Sequence, residues 1–214
     1  MSLKVNEIFY SIQGESLYAG FPCVFVRLTG CNLRCSYCDT TYAYENGTIL
    51  SIAEILGRIN AYHCRIVEIT GGEPLCQQNT PALVDALLSA GYTVLMETNG
   101  SKDIRMVDSR CIKILDIKCP GSGESHQNDL ENLNRLGPAD QIKFVITDRT
   151  DYNFAKNILR EKWRDRFPVP VLFSAAVPSL LPVQLAEWML ADRLPVRLQV
   201  QLHKILWPDE DKGR

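Results

Sequence analysis

Short apolar runs recur along the chain at 23–28, 66–70, 93–98, 112–117, 142–147, 169–173 and 196–202. Most are continuous rather than alternating, the pattern of strands buried on both faces of a parallel sheet. Amphipathic stretches separate them. Ser51 followed by Glu54 is a capping-box signature that opens a helix to about Tyr62. Thr80 is placed to cap the next helix, with Pro81 at its first position and Gly91 just past its end. Further helical patterns cover 129–136, 152–163 and 179–190. Repeated strand–helix alternation predicts an α/β fold with a mainly parallel sheet and right-handed crossovers. An open or partial barrel and a doubly wound sheet both satisfy the pattern. Either one gathers ligand chemistry at the C-terminal ends of the strands.

At 214 residues with 46% hydrophobic content, the chain has material for one sizeable core. A net charge of -2 supplies no global basic field, which argues against nucleic acid or another large polyanion as partner. No apolar run is long enough to span a membrane. The first residues carry charge too early for a signal peptide, so the expected compartment is the cytoplasm. There thiols stay reduced, and the eight cysteines are read first as metal ligands or free thiols rather than disulfides.

The strongest chemical signal is Gly30-Cys31-Asn32-Leu33-Arg34-Cys35-Ser36-Tyr37-Cys38-Asp39, three cysteines within eight residues just past a predicted strand. Thiolates are the usual ligands of iron–sulfur clusters. Three of them leave one iron of a four-iron cubane open to a substrate or cofactor. A structural zinc site closes with four ligands instead. His63, Cys64 and Cys76 are the candidates for a fourth, and none forms a tight pair with the triplet. A second signal, Thr70-Gly71-Gly72-Glu73-Pro74, ends the predicted strand 66–70. Glycines there let a ligand approach the backbone closely.

CxxxCxxC with Tyr37 before the third cysteine resembles the radical S-adenosylmethionine (SAM) superfamily, and the GGE turn resembles that superfamily's second motif. Other segments narrow the resemblance. These are Asn6-Glu7-Ile8-Phe9-Tyr10-Ser11-Ile12-Gln13-Gly14-Glu15-Ser16 before the first core strand, Arg27 within it, Asp39-Thr40 after the third cysteine, Glu97-Thr98-Asn99-Gly100, Asp116-Ile117-Lys118, and Gln201-Leu202-His203-Lys204. Together they look like the 7-carboxy-7-deazaguanine synthase family of the 7-deazapurine (queuosine precursor) pathway. The resemblance runs over nearly the whole chain.

The resemblance implies a partial, open α/β barrel in one domain, 1–214. Residues 1–20 would be a substrate-binding extension, and 196–214 a closing strand and tail. It implies a lyase that converts 6-carboxy-5,6,7,8-tetrahydropterin to 7-carboxy-7-deazaguanine with loss of ammonia. The implied cofactors are a 4Fe–4S cluster on Cys31, Cys35 and Cys38, SAM, and a magnesium ion on Thr40. SAM would contact Tyr37, Asp39, Gly72, Asp116, Ile117, Lys118 and Ser174. The pterin would contact Ile12, Gln13, Gly14, Glu15, Arg27 and Thr70. A flavodoxin- or ferredoxin-like electron donor and a homodimer are implied as well.

The residues suit those roles. An arginine fork binds a carboxylate with two parallel hydrogen bonds. An arginine inside an apolar strand otherwise needs a structural ion-pair partner. His203 and Lys204 read equally as an exposed strand end. Cys23, Cys64, Cys76, Cys111 and Cys119 are most simply core or surface thiols. Relatives commonly read QGEG where this chain reads QGES, so Ser16 departs from the pattern. Two rivals remain: a radical SAM activase that serves a large protein partner, and a non-catalytic zinc or electron-transfer module.

Overall fold

The computed structural model describes residues 1–164, 167–210, 212 and 213. Its sheet has nine strands: β1 Ser2–Ile12, β2 Pro22–Leu28, β3 Thr48–Ser51, β4 Ile66–Gly71, β5 Thr93–Thr98, β6 Ile112–Ile117, β7 Gln141–Ile146, β8 Val171–Ala175 and β9 Arg197–Gln199. Their order is β3-β1-β2-β4-β5-β6-β7-β8-β9. From β2 through β9 every pairing is parallel, while β1 runs antiparallel to both β2 and β3. The sheet stays open, an α/β partial barrel as predicted, rather than a doubly wound sheet.

The helices are α1 Ile52–Asn60, α2 Thr80–Ser89, α3 Asn132–Arg135, α4 Arg149–Trp163, α5 Pro182–Asp192 and α6 Leu202–Leu206. They pack outward-facing strand residues such as Val24, Val26, Ile69, Leu115 and Phe144 into the main apolar core. The capping box forms as the sequence predicts, with the Ser51 hydroxyl accepting from the Glu54 amide. Thr80 does not cap α2. It is the first helical residue, and its hydroxyl donates to the Pro74 carbonyl at 2.6 Å. Among the described residues no helix is long and apolar enough to cross a membrane.

Three elements differ from the sequence expectation. β1 forms within the stretch 1–20 and carries Lys4, Asn6 and Glu7, whose polarity hides a strand from an apolar-run search. An irregularity in its pairing between Val5 and Glu7 explains the mixed pattern. Before it, Leu3 and Val5 join the outer core; after it, Glu7 and Phe9 turn to the inner face with their partners Arg27 and Phe25. A bulge of this kind re-aims every side chain that follows. β3 is a short edge strand. The last predicted strand, 196–202, is three residues long and gives way to α6, so His203 and Lys204 stand on a helix. The chain turns there because the Leu202 amide bonds the Gly14 carbonyl at 3.0 Å.

Candidate active site

A cavity of about 350 Å³ opens at the C-terminal ends of the parallel strands. The sequence places its rim and its floor by different means. The rim is built by loops. Cys31, Cys35 and Cys38 all line the cavity, and all three thiols are free. Their loop is held by Ser36 N–H on the Ser122 carbonyl at 3.0 Å and by Glu73 N–H on the Gly30 carbonyl at 2.8 Å. Gly72 sits so close to this loop that a Cβ there would lie 2.3 Å from the Gly30 oxygen and 2.7 Å from the Cys31 Cβ. The GGE turn thus packs backbone to backbone against the cysteine loop, which only glycine permits. Glu73 is fully buried and locks the turn from beneath, accepting from the amides of Asn99 at 2.6 Å and Leu75 at 2.9 Å and from the Thr98 hydroxyl at 2.9 Å.

Burial pushes the Cys31 and Cys35 thiols above their ordinary range. A bound metal reverses that by taking the thiolate. Among the described residues no His, Cys, Asp or Glu side chains are grouped to hold a single metal ion. Four buried side-chain polar atoms find no partner among the described residues, and two of them are the Tyr37 hydroxyl and Asp116 Oδ1. Both residues line the cavity. Three free thiols with two orphaned polar groups beside them fit a group larger than one ion, whose polar edges would satisfy those atoms.

The floor is built by strands. Register pairs Arg27 with Thr70 and Phe25 with Glu68, so the inward side chains of β2 and β4 form two tiers, with Arg27 and Thr70 nearer the strand ends. Arg27 Nε donates to Glu7 Oε1 at 2.7 Å, and the same oxygen accepts from the Tyr42 hydroxyl at 2.8 Å. Across the cavity, Lys143 on β7 pairs with Glu15 at 2.5 Å and with Glu97, and lies 3.8 Å from Asp116. Asp116 takes Lys118 at 2.8 Å. Burial alone would lower the Lys143 value, but the charges of Glu15 and Glu97 outweigh it and hold the ammonium well above its ordinary range. Burial likewise would raise Glu15, yet Lys143 lowers it.

The loop after β1 is threaded through this floor. Gln13 bonds Glu68 and accepts from the Glu15 amide at 2.8 Å. Glu15 accepts from Gln199 and Gln201, each at 2.9 Å. A Cβ on Gly14 would lie 2.1 Å from His203 Nδ1, so this glycine lets α6 pack onto the loop. Ser16 holds the left-handed backbone that glycine favours, at φ 62°, and its hydroxyl accepts from the Tyr18 amide at 3.1 Å. Lys204 pairs with Asp39 at 2.7 Å, and Asp39 Oδ1 accepts from the Thr40 hydroxyl at 3.0 Å. Burial acts to raise Asp39, but Lys204 and Thr40 leave it at about 2.

Of the residues the sequence singles out, Ile12, Gln13, Gly14, Glu15, Arg27, Cys31, Cys35, Tyr37, Cys38, Asp39, Thr40, Thr70, Gly72, Asp116, Lys118 and Ser174 line this one cavity. Ile117 does not. It is fully buried in the main core, because neighbours on a strand face opposite ways. Glu7, which holds Arg27, and the cavity-lining Glu97 lie in segments that carry the resemblance, yet no role attaches to either from sequence; the cavity-lining Tyr42, Glu68 and Lys143 belong to no motif at all. The signal that marks Arg27, a charge inside an apolar run, marks Glu68, Glu97 and Lys143 equally.

The comparisons agree with this geometry. The model of the Radical SAM superfamily matches residues 25–111, which span the cysteine loop and the GGE turn. A 7-carboxy-7-deazaguanine synthase of Koribacter versatilis is 42% identical over 99% of this chain and 100% of its own length. One from Chlorobaculum tepidum is 45% identical over 99% of this chain and 97% of its own. The crystal structure of QueE from Escherichia coli superposes with a TM-score of 0.77 at 24% identity, covering 95% of both chains. Fold and cysteine loop together define a radical SAM enzyme, and the family implies a 4Fe–4S cluster and SAM. Within that superfamily the chain belongs to the 7-carboxy-7-deazaguanine synthase family.

Proposed function

We propose that the chain, working as one domain, converts 6-carboxy-5,6,7,8-tetrahydropterin to 7-carboxy-7-deazaguanine with loss of ammonia. The observation that carries the reading is the one cavity that joins three free thiols to a cation and hydroxyls near the strand ends, with Glu68 a tier beneath and the Lys143 ammonium among carboxyls. Cys31, Cys35 and Cys38 would hold the cluster. Tyr37, Asp39, Gly72, Asp116, Lys118 and Ser174 would receive SAM, and Ile117 would contribute backbone alone. Bound there, the two groups supply abstraction of a hydrogen atom from the substrate. The protein's own residues bind and orient. Arg27, its Nε held by Glu7, presents the guanidinium to the substrate carboxylate. Gln13, Glu15 and Thr70 meet the ring. The loop after β1 and α6 close the floor against water.

Anaerobic reconstitution followed by turnover of SAM and tetrahydropterin tests the assignment, with Arg27→Ala as its sharpest variant. Removing a charge-assisted contact costs about 2–5 kcal/mol. The apparent substrate KM therefore rises roughly 30-fold or more, while uncoupled SAM cleavage survives. If Arg27 serves only its ion pair with Glu7, the variant loses thermal stability, and SAM cleavage and pterin turnover fall in parallel with the loss of folded enzyme while the substrate KM is unchanged.

Magnesium joins the proposal through Thr40. A lone hydroxyl is a poor ligand, and magnesium usually completes its shell with carboxylates, waters and substrate oxygens. Asp39 stands ionised beside Thr40, which suits that arrangement. Adding magnesium to chelated enzyme should raise activity, and Thr40→Val should blunt the response. Activity indifferent to chelation in both proteins would remove the ion.

A further inference from the structure

The cavity floor holds more carboxyl groups than cations to neutralise them. Lys143 serves Glu15 and Glu97, Lys118 serves Asp116, and Arg27 is taken by Glu7. Glu68 is left over. It is 4% exposed, lines the cavity, and its hydrogen-bond partner among the described residues is the Gln13 side-chain amide. The groups that face it are Gln13 and Glu15 from the loop after β1, Cys23 and Arg27 from β2, Glu97 from β5 and Lys143 from β7. Both cations there are already paired, and both neighbouring acids repel a further negative charge. A buried carboxylate without its own counter-ion is costly, and taking up a proton removes the cost. The direction of its titration agrees: burial, then Glu97 and Glu15, push the Glu68 carboxyl well above the ordinary range.

We propose that Glu68 is a neutral carboxylic acid and the hydrogen-bond donor of the cavity floor, where it reads the ring carbonyl of the substrate. The inference rests on the pterin reading above. Glu68 lies one tier deeper than Arg27, since Phe25 pairs with Glu68 where Arg27 pairs with Thr70. In a 6-carboxypterin the carboxylate and the 2-amino-4-oxo edge lie at opposite ends of the bicycle. A carboxylate held at Arg27 and Thr40 sends that edge to the floor. The edge offers two kinds of N–H donor and one carbonyl acceptor. Glu15 and Glu97 suit the donors; the acceptor needs a donor, which an ionised Glu68 lacks and a protonated one supplies.

Two measurements decide it. Infrared difference spectra of anaerobic protein at pH 7, wild type minus Glu68→Gln, should show the carbonyl stretch of a protonated carboxyl. Turnover should then be compared between the tetrahydropterin and its 4-amino analogue, which presents a donor in place of the carbonyl. Wild type rejects the analogue. In Glu68→Leu the preference falls roughly tenfold, while Glu68→Gln keeps it, because its amide donates where the neutral acid does and its carbonyl takes the Gln13 bond. Glu68→Leu should depress use of the 4-oxo substrate, and the Gln variant should restore most of it. An absent carboxyl band, or an unchanged preference in Glu68→Leu, overturns the role of Glu68 while leaving pterin turnover intact. Failure of the wild type to turn over the tetrahydropterin overturns the functional reading instead, and the infrared band still settles the protonation state.

Discussion

Reconstituted wild-type protein holds about four irons and four sulfides per chain, and changing any one of Cys31, Cys35 or Cys38 to Ala abolishes SAM cleavage. The expectation follows from how the three thiols are presented. They share one loop and one cavity, and Ser122 and Glu73 pin that loop from two sides. No other cysteine lies in the cavity wall among the described residues. Cys23, Cys111 and Cys119 are buried in the interior, and Cys64 bonds the Pro22 carbonyl at 3.3 Å. Cys76 comes nearest to the loop, with its sulfur 3.4 Å from Asn32 Oδ1, yet it is exposed. Cys76→Ala is therefore the informative control. It should keep full iron, the visible absorption of the cluster and SAM cleavage, as should Cys64→Ala. A closed four-cysteine site would lose its metal in Cys76→Ala as completely as in Cys31→Ala. Iron and sulfide content with SAM cleavage, measured on all five variants, distinguishes the two. A triple variant at 31, 35 and 38 that still cleaved SAM would end the assignment.

The parallel core was legible because its strands are apolar on both faces and its motifs sit where those strands end. All seven predicted runs became strands, and five of them agree with the structure to within about a residue at each end. What escaped had physical reasons. β1 changes face midway through its bulge, so no fixed period describes it. β9 is cut short by contacts with Gly14 and Glu15, nearly two hundred residues away in sequence. Such long-range pairing leaves no local mark. The site divides in the same way. Loop residues were found because cysteine and glycine spacings are specific. The strand carboxyl Glu68 and the lysine Lys143 were not, and Glu97 stood in a motif without a role, because a single charge in a strand says that a partner exists without naming it. Ile117 was grouped with its neighbours by motif, and strand alternation turns it away.

Lys143→Met lowers folding stability by about 3–5 kcal/mol at pH 7, because it strips the shared cation from Glu15 and Glu97 and leaves their charges buried. Methionine fills the volume of the lysine stem, so the loss reports charge rather than packing. For a chain of this size the melting temperature falls by roughly 10 °C. The pH dependence separates this cause from a general loss of structure. In the wild type, burial pushes Glu15 up but Lys143 brings it below its ordinary value. A depressed acid stabilises the fold above its unfolded value and loses that contribution as pH falls through its folded value. Without Lys143 the order reverses. Burial and mutual repulsion then raise Glu15 above the unfolded value. They push Glu97, which burial already holds above its ordinary range, higher still. Folding therefore takes up more protons, and the variant gains stability as pH falls from 7 toward the ordinary glutamate range. The gap between wild type and variant is thus widest near neutrality and narrows on acidification. Urea unfolding at pH 7 and pH 5 checks it. A gap that is constant across the two values would mean that Lys143 acts through its stem, and that the carboxyls of the floor are neutralised some other way.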